Sequence, residues 1–146
     1  MLVAVRTTSK SSLFLIELII VILFFSIASY VCISLFADAR LTSIESNQLT
    51  MAVTYSQNAV EALRAVGEDD AELESLIGVK KNSDGNFAAE YDKDWNLVGD
   101  NGKYRLLMDI NTDNAKKLIT GEISVAVIDN GAYKNIYSVA TSQYRP

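Results

Sequence analysis

The chain has 146 residues, is 49% hydrophobic and 21% charged, and contains one cysteine and no histidine. Absence of His removes the commonest general base and metal ligand. The lone Cys32 permits neither an intrachain disulfide nor a thiolate zinc site. A net charge of −5 argues against a direct nucleic-acid interface, which needs a basic face.

The chain opens on residues 1–12, which carry Arg6 and Lys10 and no acid. Residues 13–37 then form an apolar run, LFLIELIIVILFFSIASYVCISLFA, in which Glu17 is the only ionisable carboxylate. At ~1.5 Å per residue this run is long enough to cross a bilayer as a helix. It has no Pro or Gly to kink it. The basic flank predicts a cytoplasmic N-terminus and an extracytoplasmic remainder. A secretory signal would have a shorter apolar core, although Ala37-Asp38-Ala39 does offer small residues at a cut site. A lipoprotein site at Cys32 is disfavoured because Val31 precedes it. A plain single-pass anchor accounts for everything except Glu17, because an acid inside a spanning helix is costly and usually partnered. Near the cytoplasmic end, snorkelling would lower that cost.

The pattern around Glu17 carries a resemblance. Lys10-Ser11-Ser12 precedes Leu13-Phe14-Leu15-Ile16-Glu17-Leu18 and an uninterrupted apolar helix. This resembles the type IV prepilins and type II secretion pseudopilins, whose short basic leader ends at a small residue before a T-L-I-E-L-like stretch. The resemblance implies cleavage by a prepilin peptidase between Ser12 and Leu13, N-methylation at Leu13, and a role for Glu17 in subunit assembly. Glu17 would then be the fifth residue of the mature chain. A new α-amine at Leu13, with a reference pKa near ~8, would meet the Glu17 carboxylate of a neighbouring subunit, each ion relieving the other's desolvation. The sequence departs from the family at Ser12 (normally Gly) and Leu13 (normally Phe), so slower processing is expected. Ser26 and Ser34 stand where many such subunits carry a helix-loosening Gly and Pro.

Residues 38–66 continue without Pro or Gly and turn amphipathic. Leu41, Ile44, Met51, Tyr55, Ala59, Ala62 and Val66 recur at helical spacing, broadened by Leu49, Val53, Val60 and Leu63. This stripe reads as a core-facing surface. Gly67 supplies a stop. Residues 68–78 read as a short helix with its acids in the first turn, where the helix dipole favours them.

From Asn86 the period becomes two. The predicted strands are 87–91, 95–98, 103–111, 121–129 and 133–141, separated by Asp-, Asn- and Gly-rich turns. Residues 112–120 are predicted as a longer connection with a helical turn. The predicted class is α+β: a long N-terminal helix, with a transmembrane half and an amphipathic half, against a small antiparallel sheet in residues 67–146.

Asp92, Asp94 and Asn96 have the spacing that opens many calcium loops, but Leu97 stands where an EF-hand needs Gly and Lys103 where it needs an acid. A hairpin turn with solvated acids is the competing reading. No phosphate loop, no His-containing triad and no other catalytic set is found, so no enzyme is expected. Tyr91, Trp95, Tyr104, Tyr133, Tyr137 and Tyr144 are expected to pack on the helix or line the sheet.

The leading expectation is a minor subunit of a type IV pilus. Its partners would be other pilin subunits, the prepilin peptidase, and the assembly platform with its ATPase. It would sit in the membrane before assembly and at the cell surface after it. A pseudopilin of a type II secretion or competence apparatus, and an uncleaved single-pass anchored binding domain, are the alternatives.

Overall fold

A computed structural model describes residues 10–144, so Arg6 and most of the expected leader lie outside the described residues. The class is α+β. Helix α1 runs from Lys10 to Val66, followed by α2 (Asp70–Ile77) and strands β1 (Lys80–Lys81), β2 (Phe87–Tyr91), β3 (Leu97–Val98), β4 (Tyr104–Asp113), β5 (Leu118–Asp129) and β6 (Ala132–Tyr144). The chain divides after Ile44 into two compact units.

The described residues of the first unit are helical, and every large apolar side chain from Leu13 to Phe36 is exposed. Ser26 returns its hydroxyl proton to the Ile22 carbonyl at 2.7 Å, so this polar group is satisfied within the helix and needs no water.

The second unit holds the core. All strand pairings are antiparallel, and the sheet runs β1-β2-β4-β5-β6, with β3 also on β2. Register pairs Tyr104 with Val127 and Met108 with Ile123 across β4 and β5, then Ile123 with Val139 across β5 and β6. One face therefore collects Phe87, Ala89, Leu106, Met108, Ile123 and Val125, all buried, beneath the C-terminal part of α1. The other face carries Asp109, Glu122, Ser138 and Ser142, as a sheet covered on one side requires.

The helix meets this face through small residues. Ala52, Ser56, Ala59 and Leu63 are buried, whereas Leu41, Ile44 and Leu49 of the predicted stripe remain exposed. Helical spacing finds a face but not how far along the helix that face is covered. Leu63 fits into a notch left by Gly121, where an added Cβ would lie 2.4 Å from Leu63 Cδ2.

Local chemistry explains the other differences from expectation. Helix α2 is narrower than residues 68–78 because Asp69 caps it through Ala71 N–H and Glu72 N–H, and left-handed Gly78 (φ 70) ends it. Short β1 had no legible signal. The connection after β4 is only a four-residue turn: β4 reaches Asp113, whose side chain caps Ala115 N–H and Lys116 N–H, and Lys117 takes φ 51. Trp95 and Asn96 are not strand. β6 runs past residue 141 to Tyr144.

Candidate functional sites on the helix and in the head

Ser12, Leu13 and Glu17 all lie in the first turns of α1 and are exposed. The Ser12–Leu13 peptide bond sits inside the helix, which begins at Lys10. Leu13 and Glu17 are four residues apart, so they share one face. No acid occupies the first turn of α1. Around Glu17, Ile16 is 51% exposed and Leu18 44% exposed, so the carboxylate stands alone on an otherwise apolar surface. Burying each such apolar side chain is worth ~1.5–3 kcal/mol, so leaving residues 13–36 in water costs on the order of tens of kcal/mol. This surface is built for lipid or for other apolar helices, and α1 is long and apolar enough to cross a membrane.

The Asp92 loop is built as a turn. Asp92 Oδ1 accepts the backbone N–H of Asp94 at 2.8 Å and of Asn96 at 2.9 Å, and the Asn96 amide donates to Oδ2 at 3.2 Å. These bonds, the Asn96 backbone N–H foremost, hold the Asp92 carboxyl below the usual carboxylate range. Asp94 lies 3.7 Å from Lys93 Nζ. Among the described residues no group of three His, Cys, Asp or Glu side chains gathers to hold a metal ion. The turn instead places Trp95, at φ 64, beneath α1.

There Trp95 stacks on Tyr104 with centroids 4.1 Å apart and on Tyr55 at 5.2 Å. Tyr55 meets Tyr91 edge-on at 4.6 Å, and its hydroxyl donates to the Trp95 carbonyl at 2.7 Å. This cluster is a packing centre, buried except for part of Tyr55. Burial, with the Tyr55 phenol nearby, pushes the Tyr91 hydroxyl up to about 12. Tyr91, Trp95 and Tyr104 were legible as sheet aromatics, but nothing in the sequence joined them to Tyr55, 40 residues before Trp95. Tyr133 lies on the opposite face, where its hydroxyl accepts from Arg105 Nη1 at 2.6 Å and its ring lies under the guanidinium.

No family model, no curated protein and no solved structure matches the chain. The functional reading therefore stands on the chain's own residues and geometry.

Proposed function

We propose that the chain is a pilin-like subunit, most economically a minor pilin of a type IV pilus, that is cleaved after Ser12, N-methylated at Leu13 and assembled through its apolar helix. The observation that carries this reading is the bare apolar surface of residues 13–36 bearing a single carboxylate, Glu17, one helical turn beyond Leu13. A simple anchor has no use for that acid, whereas subunit assembly does: an amine at Leu13 of one copy neutralises Glu17 of the next and fixes their stagger. Before assembly the helix spans the membrane with its basic N-terminus in the cytoplasm and the sheet domain outside. Peptidase, assembly platform, ATPase and sister subunits are the partners this reading requires. A pseudopilin of a secretion or competence machine would use the same chemistry.

The test is the intact mass and N-terminal fragmentation of membrane-extracted protein, with and without a co-expressed prepilin peptidase. Processing yields a chain that begins at Leu13 and is heavier by one methyl group. A chain that retains Lys10 beside an active peptidase refutes the proposal and leaves an uncleaved anchor with a snorkelling Glu17.

A further inference from the structure

A cleft of about 470 Å³ opens within the second unit, where Tyr55, Asn58 and Ala59 of α1 face the last turn of α2 and Leu97 of β3. Its floor is apolar, formed by the aromatic cluster and by Leu106, which is 1% exposed. Leu76 and Leu97 stand exposed at its rim. One buried polar group reaches it. Tyr91 is 4% exposed, and its hydroxyl has no hydrogen-bond partner among the described residues, although a buried tyrosine hydroxyl usually finds one. The fully enclosed side-chain atoms left unpartnered among the described residues are Ser56 Oγ and Arg105 Nε. The Tyr91 hydroxyl is therefore not sealed in, and the open space that Tyr91 lines is this cleft.

The charge around the cleft has one sign. Glu74 is the one charged residue of its lining, is exposed, and forms no ion pair among the described residues. It lies in the last turn of α2, the negative end of the helix dipole, and that turn carries no base. The Glu74 carbonyl accepts from Gly78 N–H, but those of Ser75, Leu76 and Ile77 accept no hydrogen bond among the described residues. Residues 68–78 hold five acids and no base. Lys81 is engaged at the other end of α2, with Asp70 at 2.9 Å. Glu74 thus occupies a position where a helix favours a cation, and a positive charge in the cleft would offset both its carboxylate and the open carbonyls.

We propose that this cleft binds an alkylammonium group, with its carbon chain against the apolar wall and its ammonium toward Glu74. An ammonium has three donors and no acceptor, which suits a carboxylate, open helix carbonyls and a phenol oxygen. The Tyr91 hydroxyl supplies that further acceptor within the cleft. An anion would meet Glu74 and the negative helix end, and a neutral apolar ligand would cover them without compensation. The ammonium belongs either to a free aliphatic amine or to a lysine side chain of another protein, and the recognising chemistry is the same. The cleft lies wholly in the second unit, so the inference does not rest on the pilin reading.

The test titrates the full chain in non-ionic detergent with n-butylammonium chloride at fixed ionic strength. The readout is the emission of Trp95, the only tryptophan and part of the cleft wall. A saturable change is expected at roughly millimolar amine, with n-butanol and butyrate binding at least about tenfold more weakly. Glu74→Gln should lose at least about tenfold in affinity, and Tyr91→Phe, which breaks no hydrogen bond within the protein, about threefold. Glu72→Gln removes an acid of the same helix that does not line the cleft and should stay within about twofold of wild type. Unchanged ligand-free emission shows that each variant keeps its fold. No saturable change, equal binding of n-butanol, retained affinity in Glu74→Gln, or an equal loss in Glu72→Gln overturns the proposal. N-acetyl-lysinamide then separates the sources: tighter binding than n-butylammonium supports the site as one for a lysine side chain, and weaker binding supports it as one for a free amine.

Discussion

Gly99 and Gly102 lie three residues apart in the turn before β4, and neither has the left-handed φ that would itself demand glycine. They differ in space. A Cβ on Gly102 would lie 2.7 Å from Glu90 Cβ and 2.9 Å from both N and O of Tyr91, whereas a Cβ on Gly99 meets nothing within 4 Å. Two of the three atoms that Gly102→Ala strikes are backbone of β2, so no rotamer change relieves the contact. The strand or the turn must move by about half an ångström to restore ordinary contact distances. The displaced residue, Tyr91, is 4% exposed and packs edge-on against Tyr55. The same movement strains the Gly102 N–H bond to Glu90 Oε2 at 2.9 Å and the Lys103 N–H bond to the Tyr91 carbonyl at 2.8 Å. Overpacking of this kind costs ~1–3 kcal/mol, and a weakened hydrogen bond adds ~0.5–1.5 kcal/mol. A loss of about 2–4 kcal/mol is expected, which for a domain of roughly 100 residues lowers Tm by about 10–25 °C. Thermal unfolding of the full chain in detergent, followed by fluorescence of Trp95, measures it. Trp95 is the only tryptophan and is 6% exposed, so its emission reports on this core. Gly99→Ala is the control and stays within about 0.5 kcal/mol of wild type. A Gly102→Ala protein that melts with wild type would refute the packing account, as would an equal loss in Gly99→Ala.

Two further outcomes follow from the same geometry. On the proposed assembly role, Glu17→Ala should insert as well as wild type or better, since an intramembrane acid costs up to ~2.5–3.5 kcal/mol, yet should fall at least about tenfold in the sheared filament fraction. Wild-type yield of filaments from that variant would remove Glu17 from assembly. Tyr91 should resist ionisation: its folded-state value near 12 lies above its ordinary value of 10, so the unfolded chain loses the proton first. Stability from this group is complete below pH 10 and declines between about pH 10 and pH 12. Comparing alkaline unfolding of wild type and Tyr91→Phe checks this, the variant being expected to have a shallower decline over that window. Parallel curves would show that Tyr91 does not set it.

The proposed site, one carboxylate, one peptide bond and a bare apolar helix, is brief in sequence, and most of its meaning lies in spacing. Ser12, Leu13 and Glu17 fall in register within six residues, and the geometry keeps Leu13 and Glu17 on one exposed face. The head contributes differently, through a cleft lined by α1, α2 and β3.

Sequence alone determined those features whose cause is local. Twenty-five residues with one carboxylate specify a helix fit for lipid whatever else the chain does. Asp69 and Gly78 bracket α2, and Asn130-Gly131 closes the β5–β6 hairpin with both residues at positive φ, because capping and left-handed turns are chemistry of adjacent residues. Alternation likewise assigned the inner face of β5 at Ile123 and Val125, but in β6 it would put Tyr133 and Asn135 on one face with Tyr137 and Val139, and the bulge at the Val125/Ala126 register shift turns them to the other. Tertiary structure decided what alternation and periodicity leave open, namely which partner covers each face and how far. Ala52 and Ser56 are buried, while the larger Leu41 and Ile44 are exposed. Small residues carry little hydrophobic signal, so no apolar count would have chosen them. Tyr55 joins Trp95, and Leu63 occupies the space above Gly121, through contacts between distant segments. The free edge of β6 was equally illegible. A strand's own residues say that it pairs, and only the order of strands in the folded sheet decides that it pairs once.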